Sequence, residues 1–196
     1  MLGLVALLMI PGLLFLVTGS SLVPVSATLG PCLMDYTSGV SYRPRASPMG
    51  QVVFSVGGGD VELCYGRPSA RGRLIYGGVV PFDTLWRMGA NEPTRLYTDT
   101  PISLAGIALA PGRYSLYAMP GPRSWTIYAS RSIRHWGNDL SPAVRAQEIG
   151  RTSIMVESLA QPVETLTVTA QDTGGAVLLH LDWATTRITL PVRPGS

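Results

Sequence analysis

Residues 164–182 read ETLTVTAQDTGGAVLLHLD, and this stretch decides the fold class. Two runs of β-branched and aliphatic residues flank Asp172-Thr173-Gly174-Gly175, a composition that favours a hairpin turn. In the second run Val177, Leu179 and Leu181 fall on one side of an extended chain. Leu178, His180 and Asp182 fall on the other, the wetter face, as the period of two requires.

Upstream the same signal recurs. Gln51–Val56 and Val61–Tyr65 flank a second glycine-rich break at Gly57-Gly58-Gly59-Asp60. Thr94–Thr98, Ile102–Leu104, Arg113–Ala118, Trp125–Ala129, Thr152–Glu157, Glu164–Gln171, Ala176–Asp182 and Arg187–Val192 read as further strands, separated by Pro and Gly turns. Ser141-Pro142 reads as an N-cap followed by Pro at the first helical position, opening one short helix to about Ile149. About ten short strands and one helix, without βαβ alternation, heptads or repeats, predict an all-β antiparallel sandwich, jelly-roll-like.

The first 34 residues carry no charged side chain. Residues 1–27 read as a hydrophobic transmembrane anchor or signal helix, because the uncharged stretch reaches the ~20 residues that span a bilayer. Val25-Ser26-Ala27 offers a signal-peptidase site, with cleavage after Ala27. The length of the apolar run and the lack of a charged n-region favour a retained anchor. In such a helix Gly3, Ala6 and Gly12 would permit close contact with partner helices. Residues 28–48 read as a linker and 49–196 as the globular domain.

All 15 basic residues are Arg, dispersed, with a net charge of +3. A nucleic-acid binder gathers basic residues into a stripe, so that class is set aside. The two cysteines, Cys32 and Cys64, form no C-x-x-C pair, which argues against zinc. Outside the cytoplasm they would form a Cys32–Cys64 disulfide; two separate thiols, with Cys64 simply packed, is the other reading.

Tyr65, Arg67-Pro68, Arg71-Gly72-Arg73, Tyr76-Gly77-Gly78, Val80-Pro81-Phe82 and Trp86-Arg87 through Gly89-Ala90-Asn91-Glu92 stand in one continuous segment. Leu109 through Leu116, Trp125-Thr126-Ile127, His135-Trp136-Gly137 and Leu181-Asp182-Trp183 extend the pattern. Over about residues 50–192 the chain resembles the bacterial exported family known as domain of unknown function 2911. The resemblance implies an exported β-sandwich with no assigned activity, on the periplasmic side of the inner membrane. The long uncharged N-terminus departs from simple secretion and suggests a single-pass anchor.

The segment from 65 to 92 is the candidate site. Arg67, Arg71, Arg73 and Arg87 would face an anionic or sugar ligand, with Trp86 stacking on it and Asn91 and Glu92 supplying hydrogen bonds. The competing reading is structural: Arg87 and Glu92 pair with each other and with backbone groups, pinning the loop. His135 and His180 lack a spaced third ligand, so no metal is assigned. Ser115, His180 and Asp182 make a triad only on paper, since residues i and i+2 of a strand do not meet as base and orienter. No cofactor motif is present.

These features lead to a non-catalytic, membrane-anchored periplasmic accessory subunit. Its partners would be membrane-protein subunits and the bilayer, with a photosynthetic or respiratory complex as one conceivable host. The alternatives are a secreted domain binding a small anionic or sugar ligand at the Arg/Trp loop, and a hydrolase using that loop.

Overall fold

The computed structural model describes residues 46–196, Cys32, and the backbone of three short N-terminal strands. The chain divides into two units, Met1–Arg43 and Pro44–Ser196. In the first, β1 (Ala6–Ile10), β2 (Leu13–Thr18) and β3 (Ser21–Pro24) form a small antiparallel sheet. The expected N-terminal helix falls on this stretch, whose linking residues lie outside the described ones. So do Gly3, Gly12 and the side chain of Ala6, and with them the expected helix-packing face. Among the described residues no helix is long and apolar enough to cross a membrane.

The second unit is all-β, built as one large antiparallel sheet. Its strands are β4 (Met49–Val56), β5 (Gly59–Gly66), β6 (Thr94–Thr98), β7 (Ile102–Leu104), β8 (Ile107–Leu109), β9 (Gly112–Pro120), β10 (Ser124–Ser130), β11 (Glu148–Asp172) and β12 (Val177–Pro194). They lie in the order β4-β5-β6-β9-β10-β11-β12-β7-β8. This is a meander of neighbours with one hairpin, β7–β8, carried to the far edge. It differs from the paired Greek keys of the expected jelly-roll-like connectivity, because short turns keep most consecutive strands adjacent.

Local sequence explains the turns. Gly57 and Gly58 both take positive φ, +61° and +82°, the geometry whose twist matches a two-residue hairpin. The β11–β12 turn is closed by Thr173, whose N–H and Oγ1 both donate to the Ala176 carbonyl at 2.9 and 2.7 Å. The strand β8 is absent from the sequence reading. Ala105 and Gly106 make its turn with φ of +48° and +92°, without the Asn-Gly or Asp-Gly signal. Helix α1 (Pro142–Arg145) is one turn rather than a helix to Ile149, because Glu148 already pairs with Ser130.

The four C-terminal strands expected from the sequence are two long ones. Strand β11 shifts register between Ser158 and Val163 and again between Val163 and Thr167. Pro162 has no N–H to give the ladder, and Ala184 opposite takes φ of +52°. Both strands bend there. Leu63 and Leu116 on one half, and Val168, Leu179, Leu181 and Leu190 on the other, then line one small apolar void with Met88 and Thr94. The two halves of the sheet face each other across this core. The alternation read from Val177, Leu179 and Leu181 holds: all three are buried, and Leu178, His180 and Asp182 are half-buried.

Candidate functional site

The chain between β5 and β6 is long and irregular, and its backbone is held at many points. Gly66 makes a close approach: a Cβ there would lie 1.9 Å from the Ala90 carbonyl oxygen. Residues 68–70 form a short antiparallel bridge at the bend of β11. Ala70 N–H donates to Glu164 O at 2.7 Å, and Leu166 N–H to Pro68 O at 2.9 Å. Farther along, Trp86 and Ala118 exchange both backbone hydrogen bonds at 2.8 Å, so the loop extends β9's edge beyond β6. Arg71, Asp83, Met88 and Asn91 take positive φ, a costly conformation that persists where the surroundings over-determine it.

The arginines at the head of this segment are engaged by the protein itself. Arg67 donates from Nε to Leu166 O at 3.2 Å and from Nη2 to Thr167 Oγ1 at 3.0 Å. Arg73 donates to the carbonyls of Ala70 and Ser69 at 2.9 and 2.8 Å. The backbone N–H of Arg71 donates to Glu164 Oε1 at 2.8 Å, while its side chain is exposed. Planar guanidinium forks here brace carbonyls at the β11 bend.

Trp86 is 5 % exposed and sits in an aromatic cluster. Its ring stacks on Trp183 at 6.1 Å and meets Trp125 and Tyr76 edge-on at 5.8 and 6.1 Å. Its indole N–H donates to Gly89 O at 3.1 Å. The expected stacking platform for a ligand is therefore a core residue: its ring is covered by other side chains. Burial drives the Tyr76 hydroxyl's pKa far up, with the Asp182 carboxylate adding to the effect.

Arg87 and Asn91 approach the 131–147 loop: a Cβ on Gly137 would lie 3.9 Å from Arg87 Nη1 and 3.7 Å from the Asn91 carbonyl oxygen. Arg87 N–H donates to Asn138 Oδ1 at 3.1 Å, and Asn91 Nδ2 to Ser47 O at 3.1 Å. Burial lowers the pKa of Arg87, and the Glu92 carboxylate opposes that shift. Glu92 itself is buried. Arg67, Arg73, Trp86 and Asn91 thus each spend a side-chain donor on the protein itself.

The structure reveals a second feature, a buried polar face on the side of the sheet opposite the leucines. Cys64, Arg95, Ser115 and Ser130 are successive cross-strand neighbours on β5, β6, β9 and β10, and all are buried. Arg95, 6 % exposed, donates from Nε to Ile133 O at 2.9 Å. Ser130 Oγ donates to Val144 O at 3.1 Å, and Ser132 Oγ meets His135 Nδ1 at 3.4 Å. Beside this row Tyr117 and Tyr128 stack at 5.1 Å. The Tyr117 hydroxyl donates to Glu148 Oε1; burial first and that bond second raise its pKa. Arg87 Nε, Ser115 Oγ and His135 Nε2 are buried without a hydrogen-bond partner. In sequence these residues alternate with the apolar Leu63, Leu96, Leu116 and Ala129. Only the covering loop, which has no periodicity, makes them interior.

The paper triad does not assemble. His180 bonds Thr189 Oγ1 at 3.0 Å and Gln171 Oε1 at 3.1 Å, and Asp182 is held in a two-point pair by Arg187 at 2.7 and 2.6 Å. Among the described residues no group of three or more metal-ligating side chains contains a histidine. Neither cysteine is free; both are disulfide-bonded.

No curated protein and no solved structure matches the chain. A family model does match, over residues 47–192, nearly the whole second unit and all the motifs from Tyr65 to Trp183. The chain belongs to the family described as protein of unknown function, DUF2911.

Proposed function

We propose that this chain is a non-catalytic accessory domain on the extracytoplasmic side of a bacterial inner membrane. Its uncharged N-terminal stretch holds it there, and its domain, a sheet folded over as a sandwich, packs against a larger membrane assembly. One observation carries the reading: Arg67, Trp86 and Asn91, residues that would bind a ligand, are engaged by the protein itself. Such a loop presents a fixed shape and few reactive groups, which suits a protein-protein role. The oxidised cysteines support an oxidising compartment, and the 34 uncharged N-terminal residues support attachment to a bilayer.

A second reading, a secreted domain that binds a small anion, is favoured by one observation. Arg87 Nε, Ser115 Oγ and His135 Nε2 are buried donors or acceptors left unpaired, and such atoms call for a water or ligand.

The intact mass and N-terminal residue of the native protein, from membrane and soluble fractions, separate the two. Met1 found only in membranes, co-migrating with other polypeptides in mild detergent, supports the accessory role. Thr28 at the N-terminus of a soluble form overturns it, and binding assays on Arg87→Ala then take priority.

A further inference from the structure

The loop 71–83 carries a group of apolar side chains that its own fold turns outward. Ile75 and Val80 are buried and hook it onto the core, with Val80 N–H donating to Ile75 O at 2.8 Å. Beside these hooks Val79 N–H donates to Leu74 O at 3.0 Å. Leu74 is 73 % exposed, and Val79 and Phe82 are exposed as well. A Cβ built on Gly77 would lie 2.8 Å from the Phe82 ring, and one on Gly78 3.2 Å from Leu74 Cβ. Phe82 and Leu74 thus lie against two successive glycines, with Val79 next along the same short loop. Scattered exposed apolar residues are ordinary; a patch held outward on a fixed loop calls for a partner.

The charges beside the patch indicate which partner. Arg71 and Arg73, both exposed, stand at its base, and Asp83, also exposed, follows Phe82 at the far end, so the loop carries two basic groups and one acidic one. Arg73's guanidinium is fixed by the Ser69 and Ala70 carbonyls, and the neighbouring Glu164 carboxylate is engaged by the Arg71 backbone. An apolar tip with a basic base matches the two layers of an anionic bilayer surface, acyl chains beneath phosphate headgroups. We infer that the loop 71–83 docks on anionic lipid, with Leu74, Val79 and Phe82 entering the interface and Arg71 and Arg73 meeting headgroup phosphates. The inference rests on the membrane-side reading above and adds the face that the domain turns to the bilayer.

The test uses the full chain reconstituted into vesicles of phosphatidylcholine, with or without phosphatidylglycerol. An environment-sensitive fluorophore is attached at Val79→Cys, or at Gly175→Cys on the polar β11–β12 turn as control. With phosphatidylglycerol present, the probe at 79 is expected to shift to the blue and be quenched by brominated lipid, while the control is not. Arg71→Ala with Arg73→Ala lowers the quenched fraction about tenfold, and the Arg→Lys pair retains most of it. Leu74→Glu, a change at a well-exposed position, abolishes quenching without depending on the Arg73 brace. No quenching at 79, quenching equal on neutral vesicles, or a blue shift that brominated lipid leaves untouched would each overturn the inference; the last would point to a second copy of the chain on the loop instead. Flotation with neutral phosphatidylcholine vesicles, on which the loop is not expected to dock, reports the N-terminal attachment separately, so a failed loop and a failed anchor give different results.

Discussion

The hydroxyl of Tyr65 accepts a hydrogen bond from the backbone N–H of Val168 at 2.7 Å, in the buried interior. Tyr65 ends the first hairpin, and Val168 lies just past the second register shift of β11. Val168 pairs with Leu181 of β12, and the Tyr65 side chain takes up its N–H. Burial raises the Tyr65 pKa, and the Val168 bond partly offsets that rise, so the group stays a neutral phenol. Tyr65→Phe keeps the ring and leaves a buried N–H unpaired. The expected cost is about 1–3 kcal/mol, read as a lower midpoint in urea with an unchanged slope. An unchanged midpoint would mean that water reaches Val168.

Gly66, the next residue, tests the close packing of the loop. Any Cβ at this position meets the Ala90 carbonyl, a backbone atom with no rotamer to move. Gly66→Ala is expected to destabilise by about 3 kcal/mol or more, and to expose the 66–90 segment to protease before the rest of the domain. By contrast Gly72→Ala meets nothing within 4 Å, although its φ of +68° still disfavours a side chain. Its effect is expected to stay near about 1 kcal/mol. Limited proteolysis and thermal melts of the two variants decide whether steric contact or backbone angle dominates.

Much of the sheet was legible because its strands obey local rules. Val177, Leu179 and Leu181 alternate, and glycines mark the turn at 57–58. Strand β8 was not, since Ala105 adopts a left-handed turn angle that its side chain does not advertise. The continuity of β11 through Pro162 was also hidden, because Pro is normally read as the end of a strand. At the loop, the sequence singled out Arg67, Arg73 and Trp86 but not the partners they meet. Trp86 was legible as important and not as core, since burial of a tryptophan depends on Trp125 and Trp183, which arrive from distant strands. The buried polar face was legible only as an alternating pattern, whose covering came from residues 131–147.

The cysteines give a chemical test. The chain has two, neither is free, and Cys64 is wholly buried on β5. A non-reducing digest is expected to yield one peptide pair joining Cys32 to Cys64. Cys64→Ser or reduction is expected to cost about 2–4 kcal/mol, as for other native disulfides. Two alkylated cysteines in protein prepared without reductant would remove the argument for an oxidising compartment.

His135 gives the domain a pH dependence of predictable sign. Burial lowers its pKa below the ordinary 6.5; a backbone hydrogen bond with Ser132 opposes that shift, and the smaller effects of the Arg95 guanidinium, which lowers it, and the Asp139 carboxylate, which raises it, follow. The unfolded chain therefore takes up a proton at this residue at a higher pH than the folded one. Between the two pKa values the unfolded state binds more protons, so stability falls as pH drops. The stabilisation is complete above about pH 6.5, declines below it, and levels off once the pH passes beneath the folded value. Carboxylates also titrate at the acid end of this range, so the comparison is between the native chain and His135→Gln. Thermal midpoints measured from pH 7.5 to 5 are expected to decline more steeply for the native chain. Parallel curves would show that His135 protonates in the folded domain as readily as in the unfolded chain, and that the 131–147 loop opens to admit the charge.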